Sequence, residues 1–301
     1  MKRSQSAIIT YLQLSRIPNL FTVPGDVIAG AALAGLFTAK NPDYLPVIIT
    51  IFISLFIYIA GLWLNDYFDH EIDLKERPDR PIPSGHIKRV TVLGIATTLL
   101  ISAIGLSACL NSKNAMVCVL LVGLVISYNA FAKKIPIIGT ATMALCRVGS
   151  LLLGISAYTP DKLQSSMILI TSVALFSYIF IVAQIAVNEM DRLPSKIYIL
   201  AIALSPLLLL LSGSHSLFKP GCLATWLSII VFLLNTEALA FKLFNNKEIT
   251  KTGPLVGALI RNLIFMQCFW IAVNGGNCIW AVAVFLLWPV AGYAGRKFYG
   301  S

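Results

Sequence analysis

One short stretch of this chain concentrates oxygen ligands at helical spacing. In Trp63-Leu64-Asn65-Asp66-Tyr67-Phe68-Asp69-His70-Glu71-Ile72-Asp73, the residues Asn65, Asp69 and Asp73 recur at i, i+4 and i+8. On a helix each such step drifts by only about 40°, so all three share one face; Asp66, three residues before Asp69, borders it. Carboxylates one turn apart repel each other and weaken a helix. Where they close an apolar run, a compensating cation is needed. Hard oxygens suit Mg²⁺, which takes one or two carboxylates together with waters and substrate phosphates. The bland alternative is a solvated acidic helix end pairing with Lys75, Arg77 and Arg80.

The next segment, Arg77-Pro78-Asp79-Arg80-Pro81-Ile82-Pro83-Ser84-Gly85-His86, is stiffened by prolines and sets two arginines beside the acids. Arginine suits bidentate phosphate contacts. Acids for a metal and bases for phosphate oxygens on one rim describe a polyphosphate site. His70 and His86 flank it and read as solvated loop histidines.

Composition says where such a site must sit. Of the 301 residues, 57% are hydrophobic and 12% charged, with a mean hydropathy of +0.83. Soluble domains carry about 45–50% apolar and about 25% charged residues. So few charges cannot cover a soluble surface, and the same numbers exclude disorder, collagen and a disulfide scaffold. A polytopic, all-α membrane bundle remains. The net charge of +10 comes from 23 Lys and Arg against 13 Asp and Glu, and six of those acids (Asp66, Asp69, Glu71, Asp73, Glu76, Asp79) crowd into one short window. In so apolar a chain the basic excess reads as loops facing anionic headgroups, with no nucleic acid as partner. The six cysteines are scattered singly and read as small core residues.

Apolar runs of membrane-spanning length fall at 18–38, 45–66, 89–110, 115–132, 137–158, 166–188, 197–214, 220–241, 254–273 and 277–295. The first, broken by Pro24 and Gly25, and the short seventh are candidates for re-entrant segments, so nine to ten spans are expected. With the N-terminus inside, 17 Lys and Arg fall in inner loops; Lys40, Lys113, Lys162 and Lys219 fall outside. That asymmetry predicts cytoplasmic termini and a cytoplasmic site, as in a bacterial-type inner membrane. The basic amphipathic N-terminus, lacking a small-residue cleavage site, does not read as a removable signal peptide. One membrane domain over 1–301 is expected.

Four charges lie inside spans: Asp26, Arg147, Glu237 and Arg261. Such groups face a cavity or a partner. Arg147 reads as a cavity residue, Glu237 and Arg261 as structural, and Asp26 as either. Small residues such as Gly30, Ala31, Ala32 and Gly149 read as helix-packing positions.

The pattern NxxxDxxxD followed by RPDRPIPSG resembles the UbiA superfamily of intramembrane prenyltransferases. Further segments agree in order and side: Arg16-Ile17-Pro18-Asn19 at the first span, Tyr128-Asn129-Ala130-Phe131-Ala132-Lys133-Lys134 in an inner loop, and Arg147 in the fifth span. The resemblance implies a UbiA-type bundle that moves a prenyl group from a polyprenyl diphosphate to an aromatic or other lipophilic acceptor, with Mg²⁺. By it, Asn65, Asp69 and Asp73, assisted by Asp66, hold the metal, and Arg77, Arg80, Tyr128, Lys133, Lys134 and Arg147 bind the diphosphate.

One departure stands out. The family carries a second DxxxD at the inner end of its sixth helix, whereas Val187 stands four residues before Asp191 here. Gln184, Asn188 and Asp191 still share a face, with Asp191 the candidate ligand for a second Mg²⁺ and Glu189 pointing elsewhere. A shared site requires these residues to converge on Asn65 and Asp69. The departure, with Gly139–Ala157, is similar to the EboC-like branch of the superfamily. That branch implies a rival: a non-catalytic membrane protein binding or transporting a lipophilic metabolite precursor. A CDP-alcohol phosphotransferase is excluded because its DGxxAR core is missing.

Overall fold

The computed structural model describes residues 17–159, 163, 165–187, 193–214, 223–246, 248, 252–275 and 278–298. Among them the regular structure is entirely helical. Helix α1 (Ile17–Leu20) and α2 (Val23–Leu33) lead into α3 (Leu45–Phe68), α4 (His70–Glu76), α5 (Arg89–Leu110) and α6 (Ser112–Ala130). Then come α7 (Ile138–Tyr158), α8 (Ser166–Ala186), α9 (Lys196–Ala203), α10 (Ser205–Gly213), α11 (Leu223–Phe244), α12 (Thr252–Val273) and α13 (Cys278–Phe298).

Each expected apolar run coincides with helix; among the described residues eight helical stretches are long and apolar enough to cross a membrane, and Val23–Leu33 and Ile279–Ala294 are shorter apolar ones. Prolines account for the interrupted ones. Pro24 has no N–H for the Leu20 carbonyl, so the first run divides at Phe21–Thr22. The resulting α2 rises about 16 Å, roughly half the hydrocarbon thickness. Pro206 likewise separates α9 from α10 at Leu204; together these two still make one crossing length, Lys196–Gly213.

Two large apolar cores organise the bundle, with a small third one of Val27, Ala31, Leu36 and Val47. One joins α3, α5 and α6 through Ile53, Ile57, Val92 and Leu121; the other gathers α8 to α13 around the buried Phe265, Phe269 and Trp270. Helices α2 and α7 join the second core through Ile28, Leu33, Val148 and Leu151, and Leu153 of α7 belongs to the first. Their crossing is close because each carries a glycine against the other's backbone: a Cβ on Gly30 would stand 2.1 Å from the Leu151 carbonyl, and one on Gly154 2.1 Å from that of Val27. Gly149 instead meets a side chain, with a Cβ there falling 2.8 Å from Leu121 Cδ1, which fits the packing role expected of the small residues. Apolar side chains cover the outside, with Ile197, Leu200, Leu204, Leu207 and Leu211 exposed in succession along α9 and α10. In water that surface would be untenable; it is a lipid-facing one, and the chain is a multi-pass integral membrane protein.

Candidate functional site

The acidic stretch straddles the junction of α3 and α4, where the sequence reading had one helix. Asp69 is the junction: its N–H donates to the Asn65 carbonyl at 2.9 Å, and its own carbonyl accepts from the Asp73 N–H at 2.8 Å. The one-turn spacing of Asn65, Asp69 and Asp73 therefore survives the joint.

Two cations divide these oxygens. Lys133 Nζ lies 2.6 Å from Asp69 Oδ1 and donates to Asn65 Oδ1 at 3.2 Å. Arg80 Nη1 lies 2.7 Å from Asp73 Oδ2 and 3.4 Å from Asp66 Oδ1. The Asp73 side chain is 4% exposed and that of Asp69 22%, so Asp69 is the open carboxylate. Arg80, one of the expected phosphate ligands, thus makes the acid–base pairing that the solvated-helix-end reading called for. Arg77 and Lys134 are exposed.

Local structure explains both placements. The proline loop folds back in turns, with Ser84 donating to the Arg80 carbonyl at 2.7 Å, Gly85 at φ 79°, and Ile82 and Ile87 anchored in the first core. Lys133 sits in a 3₁₀ turn, Ala132–Lys134, pressed against the first turn of α7: a Cβ on Gly139 would come within 2.9 Å of Lys133 Cα. Beside it, the Asn129 amide donates to the carbonyls of Gly61 (3.2 Å) and Val125 (2.9 Å), tying α6 to α3.

Among the described residues, no three His, Cys, Asp or Glu side chains converge as a metal centre. Asn65 and Asp69 do converge, on a single cationic point. One carboxylate and one amide carbonyl aimed at a positive charge fit Mg²⁺, which completes its shell with phosphate and water.

Behind Asn65 a cavity of about 300 Å³ opens into the bundle. Its polar wall includes Asn19, Thr22, Asn65, Tyr128 and Arg147; much of the rest is apolar, with Ile57, Leu121, Val125, Ile179 and Leu263 among its lining. Ser54 donates to Ser150 at 3.0 Å between α3 and α7, and both line it. Of the intramembrane charges, Arg147 lines the cavity and pairs with the fully buried Asp26, Nη2 to Oδ2 at 2.8 Å; Glu237 is exposed on α11.

The second rim motif is only partly in view. Gln184 donates to Thr140 Oγ1 at 2.8 Å, and its neighbours Ala183 and Ala186 line the cavity in its place. Its amide is thus engaged with Thr140 on α7. Asn188 and Asp191 lie outside the described residues, as do Glu189 and Arg16. Sequence reasoning missed Thr22, Ser54, Ser150 and Gln267. The available signal was polar residues within apolar spans, and Gln267 is the strongest instance: it is fully buried and donates to Asp26.

A lipid-embedded helical bundle with an apolar cavity, a polar mouth and an acid–base rim is the class this architecture defines. The UbiA prenyltransferase family model matches residues 27–194, more than half of the chain, and the chain belongs to that family. Among curated relatives, digeranylgeranylglyceryl phosphate synthase of Methanosarcina barkeri is 30% identical over 162 residues, 51% of this chain and 56% of that protein. The synthase of Methanothrix thermoacetophila is 29% identical over 174 residues, 56% of this chain and 62% of the relative. The matched region therefore spans less than two thirds of either relative. Among solved structures, a UbiA homologue from Archaeoglobus fulgidus bound to GPP and Mg²⁺ superposes with a TM-score of 0.61 at 14% identity, covering 86% of this chain and 99% of that one. A digeranylgeranylglyceryl phosphate synthase structure gives 0.63 at 21% identity, covering 90% and 99%. At these identities the likeness establishes the fold. These comparisons do not single out the EboC-like branch.

Proposed function

We propose that this chain, as one membrane domain, is a Mg²⁺-dependent intramembrane transferase that moves a prenyl group from a polyprenyl diphosphate to a lipophilic or aromatic acceptor. The observation that carries this reading is the continuity of the site: Asn65 lines the apolar cavity and also accepts from Lys133, which binds Asp69 at the rim. A molecule with an apolar tail and a polyanionic head matches both halves.

In this reading the tail lies in the cavity among Ile57, Leu121, Val125 and Ile179. Asn65 and Asp69 would hold Mg²⁺, which supplies charge neutralisation for the departing diphosphate. Lys133 and Arg147 offer donors at the mouth, with Tyr128 beside them and Arg77 and Lys134 at the exposed rim. Arg80 keeps Asp66 and Asp73 in place, so Asp73 joins the metal set only if Arg80 releases it. Fixed cations at the point where negative charge builds up are the main catalytic device such a site offers. Asn188 and Asp191 remain the candidates for a second metal position. The 17-to-4 distribution of Lys and Arg supports a cytoplasmic rim on a plasma-type inner membrane.

The relatives' names make geranylgeranyl diphosphate and a geranylgeranyl glyceryl phosphate the first substrates to try. Purified protein with Mg²⁺, labelled donor and a set of acceptors should release diphosphate and form prenylated product, and Asp69→Ala should abolish both. Tight donor binding with no turnover on any acceptor would overturn the transferase in favour of the binder or transporter.

A further inference from the structure

Arg147 is not held at the cavity wall by its ion pair alone. Its Nη2 lies 2.8 Å from Asp26 Oδ2 and donates to the Thr22 carbonyl at 3.0 Å. Gln267, from α12, closes the circle: its Nε2 donates to Asp26 Oδ1 at 2.7 Å and to the same Thr22 carbonyl at 2.8 Å. Four groups from three parts of the bundle thus form one ring, and Asp26 and Gln267 in it are fully buried.

The ring sets the amide's orientation. Both neighbours of Nε2 are acceptors, so the amide cannot be turned over without facing oxygen to oxygen. The Gln267 oxygen then lies against Gly25, where a Cβ would come within 2.0 Å of it. Glycine at 25 is thus what leaves room for the glutamine.

A guanidinium carries five N–H donors in a fixed fork, so holding one end determines where the others point. Nη2 is committed to Asp26 and Thr22, while Arg147 and Thr22 line the cavity mouth. We infer that Gln267 is a positioning residue for the diphosphate end of the substrate, acting through Asp26 and the Thr22 carbonyl to fix the Arg147 guanidinium at the cavity wall. This rests on the reading of that mouth as a diphosphate site. Gln267 lies outside the family-matched residues 27–194 and 241 residues from Asp26, so no local motif announces the role.

The test compares head and tail binding. Gln267→Met keeps length and bulk and removes the donor; Gln267→Asn is the conservative control. The probe is farnesyl thiodiphosphate, an unreactive analogue, with farnesol as the head-less comparison, each titrated against purified protein in detergent. Gln267→Met is expected to weaken the thiodiphosphate about tenfold, the scale of a lost hydrogen bond to a charged group, and to leave farnesol unchanged. Equal weakening of both ligands, or of neither, overturns the inference, because a purely structural residue would not separate head from tail. Failure of both variants to give monodisperse protein also overturns it, since Gln267 would then serve folding. If the unsubstituted protein binds farnesol but not the thiodiphosphate, the diphosphate reading itself falls, a result distinct from the other three.

Discussion

The Lys133 ammonium stands 2.6 Å from Asp69 Oδ1, bridging a loop after α6 to the end of α3. It occupies the direction in which the Asn65 and Asp69 oxygens converge. In the proposed reaction a cation arriving with a diphosphate would compete with this lysine, and the displaced lysine would already be beside the phosphate. Lys133→Ala should lower kcat/KM for the prenyl diphosphate more than tenfold, the scale of one charge-assisted hydrogen bond. The same variant should bind Mn²⁺ more tightly than the parent when no diphosphate is present. Steady-state kinetics and a metal titration check the two halves; unchanged metal affinity would contradict the competition.

Arg80 gives the opposite signature. Removing it takes from the buried Asp73 the cation 2.7 Å from its Oδ2. Arg80→Ala should cost about 1–3 kcal/mol of stability, the penalty for a buried polar group losing its partner. Asp69→Ala, at the open carboxylate, should leave unfolding near that of the parent while abolishing turnover. Thermal unfolding in detergent separates them, and equal destabilisation by both would deny the division of the acids into two pairs.

The crossing of α2 and α7 admits no side chain at its two glycines. A methyl on Gly154 would meet the Val27 carbonyl, a backbone atom that cannot swing away. Gly154→Ala should therefore destabilise by about 3 kcal/mol, at the upper end of overpacking penalties. Gly94→Ala, where a Cβ meets nothing within 4 Å, is the matched control and should be neutral or stabilising. Unfolding midpoints of the two variants provide the measurement.

Cavity depth should set donor length. Ser150 lines the cavity across from Ser54, so Ser150→Phe projects a ring into the space of about 300 Å³. The variant should keep activity on geranyl diphosphate and lose it on geranylgeranyl diphosphate, a shift read by competition between the two donors. Parallel loss on both would instead indicate collapse of the mouth.

Much of the candidate site was legible in the chain because its signals are local. Asn65, Asp69 and Asp73 are spaced by the helical repeat, which persists even through the joint at Asp69. The scarcity of charge required a membrane bundle, and Pro24 stood where the first span breaks. Hydropathy alone does not show the break before α2, because it sees apolar residues and not the carbonyl that a proline leaves unpaired.

By itself the sequence determined the medium, the helices and the inventory of the rim, since hydropathy, period and residue chemistry are properties of short segments. Only the tertiary structure decided which cation meets which acid. Lys133 is 64 residues from Asp69, Arg147 is 121 from Asp26, and Gln267 is 241 from Asp26. The Arg147–Asp26 pair lies across the crossing where Gly30 and Gly154 let two helices approach backbone to backbone, and a buried charge must find a partner in whatever element packing has brought beside it.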